Sequence, residues 1–252
     1  MPFTFSHPAL IIPLLKGRQR YPWLSATGLI TGSIAPDFEK FLRLRLASNH
    51  SHTLASVFYF SLPVGLLLAF IFHLIVRRPL LTHLPAPLYR RLGRFINFDW
   101  LAYFRHFYGG VVLSIVVGAL LHLAWDSFTH PSYFVDKLLP ELSAPVWIGG
   151  EQTPAFFVVG LVSSVVGLVA IAWAVWLMPA PRTRTVPSEA SMWRYWGIAA
   201  IVAGALTGEW ILAVGPHLLD AGIALISSSF VGVLVSSLYC IYLRRRLQPG
   251  RL

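Results

Sequence analysis

Residues 106–130 read HFYGGVVLSIVVGALLHLAWDSFTH, and this stretch decides which kind of fold the chain adopts. Residues 106–125 contain no Asp, Glu, Lys or Arg, and an aspartate follows them at once. An α-helix needs about 20 predominantly apolar residues to cross the hydrocarbon core of a bilayer. The stretch therefore predicts a membrane-spanning helix that carries an acidic residue close to one end.

Four further stretches of the chain have the same length and apolar character, although Glu209 interrupts one of them. The complete set of predicted spans covers residues 53–76, 106–128, 155–178, 195–214 and 220–243. This pattern predicts an all-α polytopic membrane protein with about five transmembrane helices. We see no internal repeat, and we expect a single membrane domain over residues 1–252.

The composition supports the same class. Apolar residues make up 56% of the 252 residues and charged residues only 12%, whereas soluble domains carry about 25% charged residues. An ordinary cytosolic enzyme, a disordered protein and a nucleic-acid-binding domain are therefore excluded. The net charge of +10 comes from bases that flank the apolar runs, where they orient helices and meet anionic headgroups. We expect membrane lipids as partners and no nucleic acid.

Basic residues also predict the orientation. Thirteen arginines follow the first, third and fifth predicted spans: Arg77, Arg78, Arg90, Arg91, Arg94, Arg105, Arg182, Arg184, Arg194, Arg244, Arg245, Arg246 and Arg251. The two loops on the other face contain only Lys137. Because arginine and lysine accumulate in cytoplasmic loops, we predict a multi-pass protein of the bacterial inner membrane with a cytoplasmic C-terminus.

The first 52 residues differ from the spans. Three prolines interrupt residues 1–15, and residues 21–36 are uncharged but too short to cross a bilayer. Irregular backbone at membrane depth is tolerated where protein buries it or where it lines a wet cavity. We therefore predict short interfacial or re-entrant helices here, packed against the bundle.

Ionisable residues beside membrane helices are costly to bury and so indicate function. His122, Asp126 and His130 are spaced four apart, which on a helix sets them on nearly one face. Pro131 indicates that the helix ends about there. A histidine and a carboxylate one turn apart can coordinate one metal ion or bridge two. The other interpretation of His122 and Asp126 is a hydrogen-bonded pair that locks this span to a neighbour.

Topology brings two further residues to the same level. The first predicted span begins on the face where the second ends, so His52 should reach the level of His122 and Asp126. Asp37 precedes His52 by fifteen residues and can reach it too. We predict one polar site near the outer leaflet. His52 could instead be an interfacial residue beside the N-cap Ser51, and Asp37 a turn residue after a proline.

Four motifs carry a resemblance. MPFTFSHP (1–8), GSIAPDFE (32–39), SHTL (51–54) and HLAWDSFTH (122–130) resemble an uncharacterised bacterial multi-pass membrane family. Their order also resembles that of the membrane-bound metal-dependent hydrolases of the bacterial inner membrane and, more distantly, the zinc-dependent phospholipase C fold. The hydrolases often have a second acidic residue close to the Pro-Asp pair, where this chain has Phe38-Glu39. The soluble phospholipases begin at a processed N-terminal tryptophan, which this chain lacks.

The resemblance implies five metal ligands: His7, Asp37, His52, His122 and Asp126. Mixed His/Asp ligands suit Zn²⁺ and tolerate Mn²⁺ or Fe²⁺, and we expect one or two ions. Three groups are candidates for moving the proton: Glu39, His130 and Glu209. The implied function is hydrolysis of a phospholipid or another lipid-linked phosphoester. The alternatives are a non-enzymatic scaffold or regulatory protein with a structural His/Asp cluster and, less well supported, a small transporter.

Overall fold

The computed structural model describes residues 3–16, 20–47, 50–181 and 188–247. Five helices in these ranges are long and apolar enough to cross a membrane: Val57–Thr82, Trp100–Thr129, Ala155–Trp176, Glu189–Val214 and Leu218–Leu247. We refer to them as long helices 1 to 5. They confirm the predicted all-α polytopic membrane fold.

The helix ends differ from the predicted ones for local reasons. Long helix 1 begins at Val57 rather than residue 53 because Thr53 and Ser56 bond each other across a turn, each hydroxyl accepting from the other's backbone N–H. At its other end the helix continues through Arg77 to Thr82. Its Val57–Ser61 and Phe72–Val76 segments have the wider π-helical turn.

The N-terminal segment forms the predicted short helices. A 3₁₀-helix over Thr4–Ile11 continues as the α-helix Ile12–Lys16. The helix Ala26–Ile34 follows, and the Ser25 hydroxyl caps it by accepting from the backbone N–H of Gly28 at 3.1 Å. A 3₁₀ turn, Ala35–Asp37, leads into the short helix Phe38–Arg43.

Between long helices 2 and 3 lie elements that were not predicted from the sequence. They are the helix Tyr133–Leu138, a 3₁₀ turn over Pro140–Ser143, and an antiparallel hairpin of Pro145–Ile148 with Glu151–Pro154. Gly149 and Gly150 form the hairpin turn with φ of 59° and 90°. Positive φ at both turn positions is the signature of a type I′ turn, which favours glycine.

The chain divides into two compact units. The first comprises Met1–Phe38, Asn49–Leu67 and Phe104–Trp176, and the second comprises Glu39–Ser48, Leu68–Tyr103 and Leu177–Leu252. The expectation of a single membrane domain stays a prediction.

Glycines bring the helix Ala26–Ile34 against long helix 2 inside the first unit. A Cβ on Gly32 would overlap the backbone of Ile115, and a Cβ on Gly118 would overlap the carbonyl oxygen of Leu29. Small residues permit such close approach between membrane helices. The contact positions the next residue, Ser33, beside the second half of long helix 2.

Candidate metal centre

Three segments of the first unit supply a cluster of four ionisable side chains. Asp37 ends the 3₁₀ turn Ala35–Asp37, and His52 lies in the turn before long helix 1. His122 and Asp126 occupy successive turns near the end of long helix 2. The shared site that topology predicted is therefore formed, since these four residues each offer one ligand atom within 4.8 Å of the other three.

The distances in the cluster are regular. Nε2 of His52 lies 3.3 Å from Oδ1 of Asp37 and 3.3 Å from Oδ2 of Asp126. Nε2 of His122 lies 3.7 Å and 3.4 Å from the same two oxygens. Four atoms set tetrahedrally around Zn²⁺ at their usual bond lengths are about 3.3–3.4 Å apart. The four histidine-to-carboxylate distances are thus close to those between the ligands of a tetrahedral site.

Both histidines of the cluster are held through their other ring nitrogen. Nδ1 of His122 donates to the carbonyl oxygen of Ser33 at 2.7 Å, and Nδ1 of His52 lies 2.9 Å from the Ser51 hydroxyl. Metal-bound histidines characteristically make such a bond, which fixes the tautomer and the ring orientation.

Both carboxylates are held in the same manner. The Thr4 hydroxyl donates to Oδ2 of Asp37 at 2.5 Å. Oδ1 of Asp126 lies 3.2 Å from Nε2 of His7. In each of the four side chains, one nitrogen or oxygen atom therefore faces the centre of the cluster. The second ring nitrogen or carboxylate oxygen contacts a polar neighbour.

His122 provides the sharpest indication of a cation. A carbonyl oxygen only accepts, so Nδ1 of His122 carries the proton that it shares with Ser33. When the ring is neutral, the lone pair of Nε2 faces two carboxylate oxygens. This nitrogen is buried and has no hydrogen-bond partner among the residues that the structure describes. A metal ion among these atoms would remove the conflict.

Burial raises the free-energy cost of placing this lone pair against two carboxylates. His122 and Asp37 are 0% and 1% exposed, and Asp126 is 7% exposed. Buried charges persist only where they are paired or coordinate a metal. A divalent cation bound to two neutral histidines and two carboxylates would form a set with no net charge.

His7 joins the cluster from the 3₁₀-helix Thr4–Ile11 and is 1% exposed. Its ring stacks on that of His122, with the centroids 3.9 Å apart. Its Nδ1 lies 3.3 Å from the carbonyl oxygen of Thr4. His7 is thus brought to the outer oxygen of Asp126 rather than into the four-atom set, and its role as a ligand stays a prediction.

The candidate proton carriers have different surroundings. His130 is half-buried in the first unit, with Nδ1 at 3.1 Å from the Asp126 carbonyl oxygen and 3.6 Å from its Oδ1. Glu39 belongs to the second unit and pairs with Nε of Arg43 at 2.8 Å. Glu209 is exposed on long helix 4, also in the second unit. Their roles stay predictions.

Two partners of the cluster were not predicted from the sequence, and a third was assigned differently. Thr4 and Ser33 were not singled out, and Ser51 was considered only as an N-cap. Thr4 and Ser51 do lie in the MPFTFSHP and SHTL motifs, which was the available signal. Ser33 acts through its backbone carbonyl, and residue type gives no signal for that.

An apolar cavity of about 480 Å³ lies beside His7 within the first unit. His7 and Ser6 line it on one side, and Trp125 contributes from long helix 2. Ala9 and Leu10 continue the wall, and long helix 3 contributes four valines to it: Val158, Val159, Val162 and Val166.

Comparison with known proteins gives one match. A family model described as "Domain of unknown function (DUF4184)" matches residues 1–240. No curated protein and no solved structure matches the chain.

Proposed function

The chain belongs to the DUF4184 family, and we propose that it is a membrane-embedded metal-dependent hydrolase. Its substrate would be a phospholipid or another lipid-linked phosphoester. One observation carries the proposal: Asp37, His52, His122 and Asp126 each bring one ligand atom within 4.8 Å of the other three, and a polar neighbour contacts the second nitrogen or oxygen of each side chain.

Zinc suits this ligand set best. Two histidine nitrogens and two carboxylate oxygens are common zinc ligands, and they also accept Mn²⁺ or Fe²⁺. A divalent cation supplies a Lewis acid for the phosphoryl oxygen and makes a bound water acidic enough to attack near neutral pH.

Asp126 supports a second ion. Oδ2 faces His52 and His122, while Oδ1 faces His7 at 3.2 Å. A carboxylate whose two oxygens face different histidines is suited to bridge two cations. The four-ligand position has a complete set of protein ligands. A second ion bound by His7 and Oδ1 of Asp126 would have fewer protein ligands and could therefore take water and substrate, as a catalytic site requires.

The cavity beside His7 supports a lipid substrate. Its walls include four valine side chains of long helix 3, which has the composition of a membrane span. An acyl chain in this cavity would bury apolar surface and hold an attached phosphoester near His7. That alignment of substrate with catalytic groups lowers the entropic cost of reaction.

His130 is the proton carrier that we favour. It belongs to the same unit as the cluster, and its Nδ1 contacts the backbone oxygen of Asp126. When Nδ1 holds a proton for that carbonyl, Nε2 is the basic nitrogen of the neutral ring. His130 would then accept a proton from the attacking water and return it to the leaving alkoxide.

A second function is favoured by a specific observation. Four protein ligands with no open position are typical of structural zinc sites. The chain could therefore be a scaffold or regulatory protein in which an ion at the four-ligand position stabilises the fold.

The metal is tested first. Inductively coupled plasma mass spectrometry on detergent-purified protein should find one or two equivalents of Zn, Mn or Fe per chain. His122→Ala and Asp37→Asn should lose the ion, while His50→Ala, an exposed neighbour of the cluster, should keep it. A wild-type protein without metal that cannot be reloaded would overturn both functions.

Activity separates the two functions. A screen of fluorogenic phospholipids and lipid phosphomonoesters should reveal hydrolysis by the wild type that the His7→Ala variant lacks. If His7→Ala keeps its metal and its melting temperature and loses activity, the enzyme is supported. A metal-loaded wild type that hydrolyses no member of the panel, and melts earlier when any ligand is removed, would instead be a structural zinc protein.

A further inference from the structure

The second unit contains a cavity of about 1040 Å³. It is bounded by the C-terminal ends of long helices 1 and 5 and by the first turns of long helix 4. None of its lining residues belongs to the metal centre or to its unit. The residues that would bind a ligand here therefore differ from those of the proposed metal centre.

Four arginines line this cavity: Arg78, Arg194, Arg244 and Arg245. No acidic residue lines it, and none of the four arginines makes an ion pair within the part of the chain that the structure describes. Arg78 and Arg244 are close enough to repel each other. An anion in the cavity would relieve that repulsion.

The polar wall beside the arginines is already internally bonded. Nδ1 of His83 donates to the carbonyl oxygen of Pro79 at 2.6 Å, and its Nε2 accepts from the Ser191 hydroxyl at 2.8 Å. The His83 ring also stacks on Tyr195 at 4.8 Å. These side chains are therefore held in place, and the guanidinium groups are available to donate to a ligand.

The remaining wall is apolar. Much of it is formed by aliphatic side chains from the same three helices: Leu74, Ile75, Ile198, Ile241 and Leu243. A cavity that joins several arginines to aliphatic surface matches an amphiphile with a phosphate at one end. Inorganic phosphate would use the arginines and leave the aliphatic wall without a contact.

We propose that this cavity binds the phosphate headgroup of an anionic phospholipid. The guanidinium groups donate charge-assisted hydrogen bonds to the phosphate oxygens, and the first part of the acyl chains lies against Leu74, Ile198 and Ile241. Basic pockets between membrane helices are suited to such headgroups. The ligand is a bound lipid of the protein, distinct from any lipid that the metal centre would hydrolyse.

Native mass spectrometry of the detergent-purified full chain tests the site with added phosphatidylglycerol. The wild type should retain one lipid, and Arg244→Ala should bind it about tenfold more weakly, the effect of losing one hydrogen bond to a charged group. Arg246→Ala is the matched control, because it removes the same charge from the same helix and does not line the cavity. Equal losses in the two variants would overturn the proposal.

Further binding measurements identify the ligand of the cavity. Phosphatidylcholine, whose headgroup is neutral overall, should bind much more weakly than phosphatidylglycerol, and equal binding would contradict a role for the arginines. Ile198→Trp fills the apolar side and should reduce lipid binding while the melting temperature stays near that of the wild type. If inorganic phosphate binds with the same dependence on Arg244 and phosphatidylglycerol does not, the occupant is a free anion and the lipid proposal fails.

Discussion

The rings of His7 and His122 stack with their centroids 3.9 Å apart and their planes inclined by 19°. Both side chains are almost fully buried, and two positive rings at this separation would repel each other strongly in such surroundings. A positive charge on both rings at once is therefore an unfavourable way to balance the charges of Asp37 and Asp126. A divalent cation would balance the two carboxylates without placing charge on the stacked rings.

Removal of the metal should destabilise the protein. Ligand bound only to the native state at 100 times its Kd contributes about 2.7 kcal/mol, which corresponds to about 5–10 °C in melting temperature for a chain of this size. A strong chelator should lower the melting temperature in detergent by that amount, and added Zn²⁺ should restore it. Asp37→Asn should melt at the lower temperature with or without chelator. A wild type that is insensitive to chelation would contradict the charge argument.

Thr4→Val should weaken the metal site without removing a ligand. The substitution keeps the side-chain shape but deletes the hydroxyl that donates to Oδ2 of Asp37. Loss of such a supporting bond costs about 10–100-fold in metal affinity. Competition with a chromophoric zinc chelator measures the change. Thr31→Val is the control, since that hydroxyl bonds only within its own helix, to Gly28, and affinities equal in both variants would contradict the role of Thr4.

Helix periodicity and topology explain what was predictable about the site. The spacing of His122 and Asp126 sets them one turn apart on one helix face, whatever surrounds them. The order of the spans brings the start of long helix 1 to the level where long helix 2 ends, which is why His52 could be joined to that pair. Both predictions depend on regular structure alone.

The orientation of the site depends on packing, and packing was not predictable from residue types. The carbonyl of Ser33 reaches His122 because Gly32 and Gly118 let two helix backbones approach closely. Glycines were visible in the sequence, but their partners were not. The hairpin after long helix 2 was missed although its Gly149-Gly150 turn is a local signal, because its two short strands are mostly exposed and belong to no apolar span.

Close packing of the two glycines leads to a stability prediction. Gly32→Ala and Gly118→Ala would each set a methyl group against backbone atoms, which cannot move aside as a side-chain end can. Overpacking of this kind costs about 1–3 kcal/mol. Thermal unfolding in detergent should show lower melting temperatures for both. Gly109→Ala, on the same long helix as Gly118 but with open space around its position, should melt at or above the wild-type temperature, and equal effects at the three positions would contradict the packing.

The arginine-rich loops lead to a prediction about orientation. If they are cytoplasmic, a green fluorescent protein fused after the C-terminus should fluoresce, and alkaline phosphatase fused there should be inactive. The reverse should hold for fusions in the loop between long helices 2 and 3, which contains Lys137. Active phosphatase at the C-terminus would invert the predicted topology.

Val159→Trp should shorten the lipid that the metal centre accepts. Val159 lines the apolar cavity beside His7, so a larger side chain would occupy space that we assign to an acyl chain. We expect kcat/KM for a long-chain phospholipid to fall about tenfold, because several methylenes lose contacts worth about 0.8 kcal/mol each. A short-chain analogue should be hydrolysed as before. Val165→Trp is the control, because Val165 is on the exposed side of the same helix and outside the cavity. If Val159→Trp loses activity on both the long-chain and the short-chain substrate, the substitution has damaged the metal centre, and the assignment of the cavity to an acyl chain is contradicted.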